Sequence, residues 1–260
     1  MSSLALLRAL NETLEQGETA ALVTVIRSPA PEQVGTRVLV RPGQPPLGTL
    51  GLGEREAEVL AAAENALAEG RPRLLRYPAW ELEVFVDVQA RPPELIIVGA
   101  GHIAVPLCEI GALCGFRVTV IDDRPQYAHP GRFPKAARVI AADIRRTVRE
   151  LPMDANTFVV LVTRGHSLDV ECLLEILDRP LAYIGMIGSR RRVSAVFTLL
   201  EREQGIPRAK LERVYAPIGL PIGAETPAEI AVAIMAEIIN VRRGGQAVSL
   251  AAERRRTSRT

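Results

Sequence analysis

Residues 96–104 read IIVGAGHIA, and this stretch decides the fold. Residues 95–98 form a continuous apolar run, the pattern of a parallel strand buried on both faces. Gly99, Gly101 and Ala104 then match the spacing G-x-G-x-x-(G/A). Each position has a physical reason. Gly99 permits the tight turn off the strand. Gly101 lacks a Cβ, so a pyrophosphate can approach the backbone. Ala104 is small enough for the next helix to lie against the strand. The start of that helix offers free N–H groups and the positive end of its dipole to a phosphate. The bare pattern is weak, and its context strengthens it. It follows an apolar strand, opens a helix over 103–114, and precedes a second strand over 117–121 that ends in Asp122-Asp123. Asp122 lies 23 residues after Gly99, near the ~20 expected of an acid that holds a ribose hydroxyl.

Further along, strands are expected over 137–140, 157–163 and 181–186, and helices over 169–177, 190–204 and 227–241. Strands alternating with helices mean a parallel sheet covered on both faces. The fold class is therefore α/β. A Rossmann-like domain is expected over 94–243, with a smaller N-terminal α+β domain over 1–90. Arg91-Pro92-Pro93 breaks the chain between them. In the N-terminal part a helix is expected over 4–16, with Leu4, Leu7, Leu10 and Leu14 on one face. Strands follow over 20–27, 36–41 and 82–88. A Gly/Pro-rich loop covers 43–53, and a helix over 54–69 is closed by Gly70.

At 260 residues and 28.2 kDa the chain can bury roughly three quarters of its unfolded surface. Its 48% hydrophobic and 24% charged residues are ordinary for a globular protein. Of 32 basic and 30 acidic residues, six Arg and one Glu fall in 242–260, so residues 1–241 carry −3. The body lacks the positive charge that a nucleic-acid binder needs. A basic, solvated tail is expected over 244–260. Three cysteines, Cys108, Cys114 and Cys172, are too few and too irregular for a disulfide framework, and read as buried thiols. The first 18 residues do not read as a signal peptide. The longest apolar stretch, 95–121, is interrupted by His102, Glu109 and Arg117, against a membrane span. A cytoplasmic location is expected.

The candidate ligand-contacting residues lie at the ends of the expected strands. At the glycine turn they are Gly99, Gly101, His102 and Ile103. After the second strand they are Asp122, Asp123 and Arg124. An acid there favours a free 2′-hydroxyl, hence NAD. Arg124 either meets a 2′-phosphate or pairs with a neighbouring carboxylate. In TRGHSLD they are Arg164, Gly165 and His166. His102 and His166 each stand where a ligand would pass, or simply satisfy local backbone. In YIGMIGSRRR they are Gly185, Ile187, Gly188, Ser189 and Arg190. There a helix start beside guanidinium groups makes either an anion trap or a solvated arginine face. Ser189 is its expected N-cap. Thr226-Pro227-Ala228-Glu229 has the form of a capping box, and Glu225 before it reads as a local hydrogen-bonding residue. No two His have metal-ligand spacing, and no metal site is expected.

Five segments together resemble one family: VGAGHIA, VIDDRPQYA with RFPKA, LVTRGHSLD, AYIGMIGSRRR and APIGLPIGAETPAEIAVAIMAEI. In order and spacing they are similar to the C-terminal Rossmann domain of the XdhC/CoxI family, the xanthine dehydrogenase accessory proteins. The resemblance implies a maturation protein that binds molybdenum cofactor, as molybdopterin or its dinucleotide form. It would assist insertion of the sulfurated cofactor into a molybdenum hydroxylase apo-enzyme. It also implies a homodimer, and assigns no catalytic residue. Residues 20–53 resemble the family's N-terminal domain less closely, though ALVTVIRSPAPEQVGTRVLV keeps its two-strand pattern and G-T-R turn. Where the family has a glycine-serine run followed by Gly-Gly-Cys and an acid, this chain reads GTLGLGERE, without the cysteine. Two other readings share the fingerprint: an NAD(P)-dependent oxidoreductase and a nucleotide-sensing regulatory module.

Overall fold

The computed structural model describes residues 3–249 and 251, and the chain divides into two units, Met1–Arg91 and Pro92–Thr260. The first unit holds α1 (Ser3–Glu15), β1 (Ala20–Arg27), β2 (Arg37–Val40), β3 (Leu47–Gly48), α2 (Glu56–Glu69), β4 (Arg73–Tyr77) and β5 (Leu82–Gln89). Its sheet is antiparallel, in the order β3-β2-β1-β5-β4. Successive strand residues point to opposite faces. Ala21, Val23 and Val25 therefore share a core with Val59, Ala63 and Ala66 of α2, while Ala20 and Leu22 share another with Leu6 and Leu10 of α1. The α1 stripe differs from expectation. Leu6 and Leu10 are buried, whereas Leu4 and Leu7 are 59% and 41% exposed. Leucines at 4, 6, 7, 10 and 14 offer two candidate rows, and the sheet takes the one through Leu6, Leu10 and Thr13.

The second unit holds β6 (Glu94–Val98), α3 (Ala104–Leu113), β7 (Arg117–Asp122), β8 (Arg138–Ala141), α4 (Ile144–Glu150) and β9 (Thr157–Leu161). It continues through α5 (His166–Ile176), β10 (Tyr183–Met186), α6 (Arg190–Gln204), α7 (Arg208–Leu211), β11 (Val214–Tyr215) and α8 (Pro227–Arg243). The six strands pair in parallel in the order β11-β10-β9-β6-β7-β8. This is the α/β, Rossmann-like sheet that the glycine motif announces. Its first strand lies in the middle, and the strand order reverses between β6 and β9.

The apolar run of β6 feeds two cores. Leu95 and Ile97 join Leu107 of α3 and Ile234, Met235 and Ile238 of α8. Ile96 and Val98 join Leu173 and Ile176 of α5 and Phe197 and Leu200 of α6. Phe158 and Val160 of β9 face the first core, and Val159 and Leu161 the second. Both faces of the sheet are thus covered, and its strand ends are left to carry the site. Cys108 and Cys172 are buried, and burial pushes their thiols up to about 11 and about 12. Cys114 is exposed, contrary to expectation, because it is the C-cap of α3, on the turn that leads into β7. Among the described residues no helix is long and apolar enough to cross a membrane. Residues 250 and 252–260, most of the expected tail, lie outside the described residues.

Candidate functional site

Ligands of open parallel sheets lodge outside the carboxyl ends of the strands, where the strand order reverses. Backbone hydrogen bonds order this edge. The Val162 N–H donates to Val98 O (2.9 Å), the Ile187 N–H to Leu161 O (3.0 Å) and the Ile218 N–H to Met186 O (3.1 Å). On the other side the Gly99 N–H donates to Ile121 O (2.7 Å). The loops after β6, β7, β9 and β10, and the segment after β11, therefore leave the sheet side by side.

The glycines of the turn have different roles. Gly99 has φ +109°, and a Cβ there would stand 2.5 Å from Val162 O and 2.9 Å from Thr163 Cα. It is the point where the two diverging loops touch backbone to backbone. At Gly101 a Cβ would meet no atom within 4 Å. The N–H groups of Gly101, His102 and Ile103 have no hydrogen-bond partner among the described residues. They open onto the start of α3. His102 is exposed and Ile103 half-buried.

Asp122 is 2% exposed and fully committed. Its Oδ1 accepts from the backbone N–H (3.0 Å) and Nε (2.8 Å) of Arg124. Its Oδ2 accepts from the Ala100 N–H (2.8 Å) and Arg124 Nη2 (2.9 Å). A carboxylate has about four acceptor sites, so none is left for a ribose hydroxyl. The geometry gives Asp122 a clamping role in place of the ribose contact that its spacing suggested, and Arg124 takes the carboxylate-pairing reading. Burial alone would raise the Asp122 carboxyl. The Arg124 guanidinium and the two backbone donors outweigh it and hold the group at about 2. Asp123 is exposed and pairs with Arg164 (3.1 Å), linking the loops after β7 and β9. Arg132, which the sequence did not mark, donates from Nη1 to Ala100 O and Tyr127 O (both 3.0 Å). Arg124 and Arg132 both sit over the Tyr127 ring, at 3.9 and 5.1 Å from its centroid.

After β9, the Thr163 hydroxyl donates to Gly165 O (3.0 Å), and the Thr163 N–H donates to Oδ1 of Asp169 (3.1 Å). Asp169 is 1% exposed and ties this loop to α5. Gly165 stands at the N-cap of α5, which begins three residues earlier than expected. His166 is thus the first residue of a helix, and its side chain lies outside the described residues.

At the end of β10 the candidates separate. Gly185 is buried inside the strand, and a Cβ there would stand 2.3 Å from Ile218 Cδ1. Its missing side chain serves packing and does not face the crevice. Ile187 and Gly188 are half-buried, and Ser189 caps α6 by accepting from the Arg192 N–H (3.4 Å). Arg190 is exposed, and its guanidinium has no ion pair or hydrogen bond among the described residues. It borders a pocket of about 370 Å³ walled by the segment 217–224 and by Ile230 and Ala233 of α8. Glu237 pins that segment: it accepts from the Tyr183 hydroxyl (2.5 Å) and the Gly219 N–H (3.0 Å). Burial, with Glu237 adding to it, pushes the Tyr183 hydroxyl far up. The capping box at Thr226 forms, and Glu225 donates its N–H to Glu229 (2.9 Å). Glu237 was not legible, because its partners lie 18 and 54 residues away.

In the first unit the loop GTLGLGERE has a built shape without a cysteine. The Glu56 carboxylate accepts from the Thr49 hydroxyl (2.8 Å) and from the N–H groups of Leu50 (3.0 Å), Gly51 (3.1 Å) and Leu52 (3.3 Å).

Comparison with known proteins adds to this geometry. YqeB of Escherichia coli K12, an uncharacterized protein, is 32% identical over 220 residues, 79% of this chain and 40% of that protein. A Bacillus subtilis protein described as a probable xanthine dehydrogenase subunit is 35% identical over 160 residues, 62% of this chain and 46% of that protein. The chain spans less than half the length of either curated relative. A solved Bacillus halodurans structure described as a xanthine dehydrogenase shares the fold, with a TM-score of 0.55 at 21% identity over 96% of this chain and 98% of that one. The family model of the XdhC Rossmann domain matches residues 95–238, and that of the XdhC and CoxI family matches residues 13–78. One match runs from β6 into α8 and the other from α1 past β4, and together they make this chain a member of the XdhC and CoxI family.

Proposed function

We propose that this chain is an accessory protein that binds molybdenum cofactor as cargo, as molybdopterin or its dinucleotide form. It assists insertion of that cargo into a xanthine dehydrogenase-type molybdenum hydroxylase, whose apo-enzyme is its partner. One observation carries the reading: the glycine turn presents the N–H groups of Gly101, His102 and Ile103 without partners among the described residues, and the space where a Gly101 side chain would stand is open. Such a turn at a helix start suits a phosphorylated guest. Family membership and the Bacillus subtilis relative support the class of partner. The rival reading, hydride transfer with NAD(P), uses the same turn. Family membership favours the accessory reading over it. The loop 48–56 offers no thiol, so the role is binding and delivery, and sulfur chemistry is not assigned to this chain.

The test is mass spectrometry of the small molecules released when anaerobically purified native protein is denatured. A phosphorylated pterin, alone or joined to a nucleotide, is the expected result. Release of NAD(P) and no pterin would overturn the reading.

A further inference from the structure

The pocket beside Arg190 stands apart from the glycine turn along the same sheet edge. Gly99 follows β6, Val162 follows β9, Ile187 follows β10, and Ile218 occupies the column of β11, bonded to the end of β10. Neighbouring strands lie about 4.8 Å apart, so three columns span about 14 Å. That is the reach of a nucleotide joined through a pyrophosphate to a second ring. The pocket has its own chemistry. Ile218, Leu220, Ile222 and Ile230 give it aliphatic walls. Ile222 is 55% exposed and lines the pocket beside Ile218, Leu220 and Ile230, on a segment that Glu237 ties down at the Gly219 N–H. The N–H groups of Gly223 and Ala224 have no hydrogen-bond partner among the described residues, and the Arg190 guanidinium at the rim has no counter-ion there. Apolar walls, a few polar edge donors and one cation make a ring site with an anion end.

We propose that this pocket is a second ligand subsite, taking a flat heteroaromatic ring that carries an anionic group. With the glycine turn it would select a two-ended ligand. The inference rests on the proposed function for the identity of the guest, and on the pocket alone for its position.

Pterin-6-carboxylate is a fluorescent probe that fits the pocket and lacks a phosphate for the turn. Titration of the full chain should show saturable binding. Arg190→Glu and Ile222→Glu, both at exposed positions, should each weaken it about tenfold or more. Gly101→Val should leave it within about twofold, and inorganic pyrophosphate should not displace it. Melting curves establish that each variant is folded. Should a pocket variant fail to fold, the pyrophosphate competition on wild type decides: displacement places the ring at the turn and overturns the subsite. Absence of saturable binding, or indifference to both pocket variants, overturns it too. A chain that releases a phosphorylated pterin yet ignores this probe keeps the proposed function and loses the subsite. A chain that binds the probe yet releases NAD(P) and no pterin does the reverse.

Discussion

Gly99 and Gly101 stand two residues apart and answer to different forces. A side chain at Gly99 would collide with the Val162 carbonyl and hold a backbone at φ +109° that L-residues rarely adopt. Gly99→Ala should therefore cost roughly 2 kcal/mol or more of stability, read from urea unfolding. Gly101→Ala should cost less than about 1 kcal/mol in the same measurement, because nothing lies near its absent Cβ. Equal costs would show that the two glycines share one structural role. Asp122 adds a dependence on pH. Its folded value of about 2 lies below the ordinary carboxylate value near 4, so its contribution is complete above about pH 4 and is lost as pH falls toward 2. That contribution is on the order of 2 kcal/mol. Asp122→Asn should lose about that much at pH 7, and should lose less further stability than wild type between pH 4 and 2. A variant that matches wild type at both pH values would remove the clamp.

Elements with a strong period could be read from the sequence, and short or half-exposed ones could not. β6 and β9 were plain because both faces are apolar, and α6 and α8 because each carries a start signal, Ser189 and Thr226. β4 was missed: it is an edge strand with Arg73 and Arg76 exposed and little buried side to show. α4 was missed because seven residues bury only Ile144 and Val148. Arg145 and Arg149 are explained by Glu175 of α5, whose carboxyl their hydrogen bonds hold down at about 2, while Arg146 pairs with Glu150. The glycine turn was legible because local spacing specifies it. Arg132, Asp169 and Glu237 were not, because each acts through a tertiary contact that spacing does not encode. Glu237→Gln tests the last of these. It weakens the acceptor that holds both Tyr183 and the Gly219 N–H. Amide hydrogen exchange at Gly219 should quicken about tenfold, while the amides of β9 keep their protection. Unchanged exchange at Gly219 would mean the segment is held by its apolar contacts alone.

The chain builds separate cores in its two units, and the glycine turn, the clamp and the pocket all belong to the second. A fragment of residues 92–260 should accordingly unfold in one cooperative urea transition and release the same phosphorylated pterin that the full chain is expected to release. A fragment that folds but carries no ligand would give the first unit a share in binding. The most direct test of the central claim compares wild type with Gly101→Val, purified anaerobically side by side. Phosphorylated pterin released per mole of protein is quantified by mass spectrometry, with melting temperatures taken on the same samples. Binding at the glycine turn predicts pterin in wild type and little or none in Gly101→Val at a similar melting temperature. Equal amounts from both proteins would contradict it.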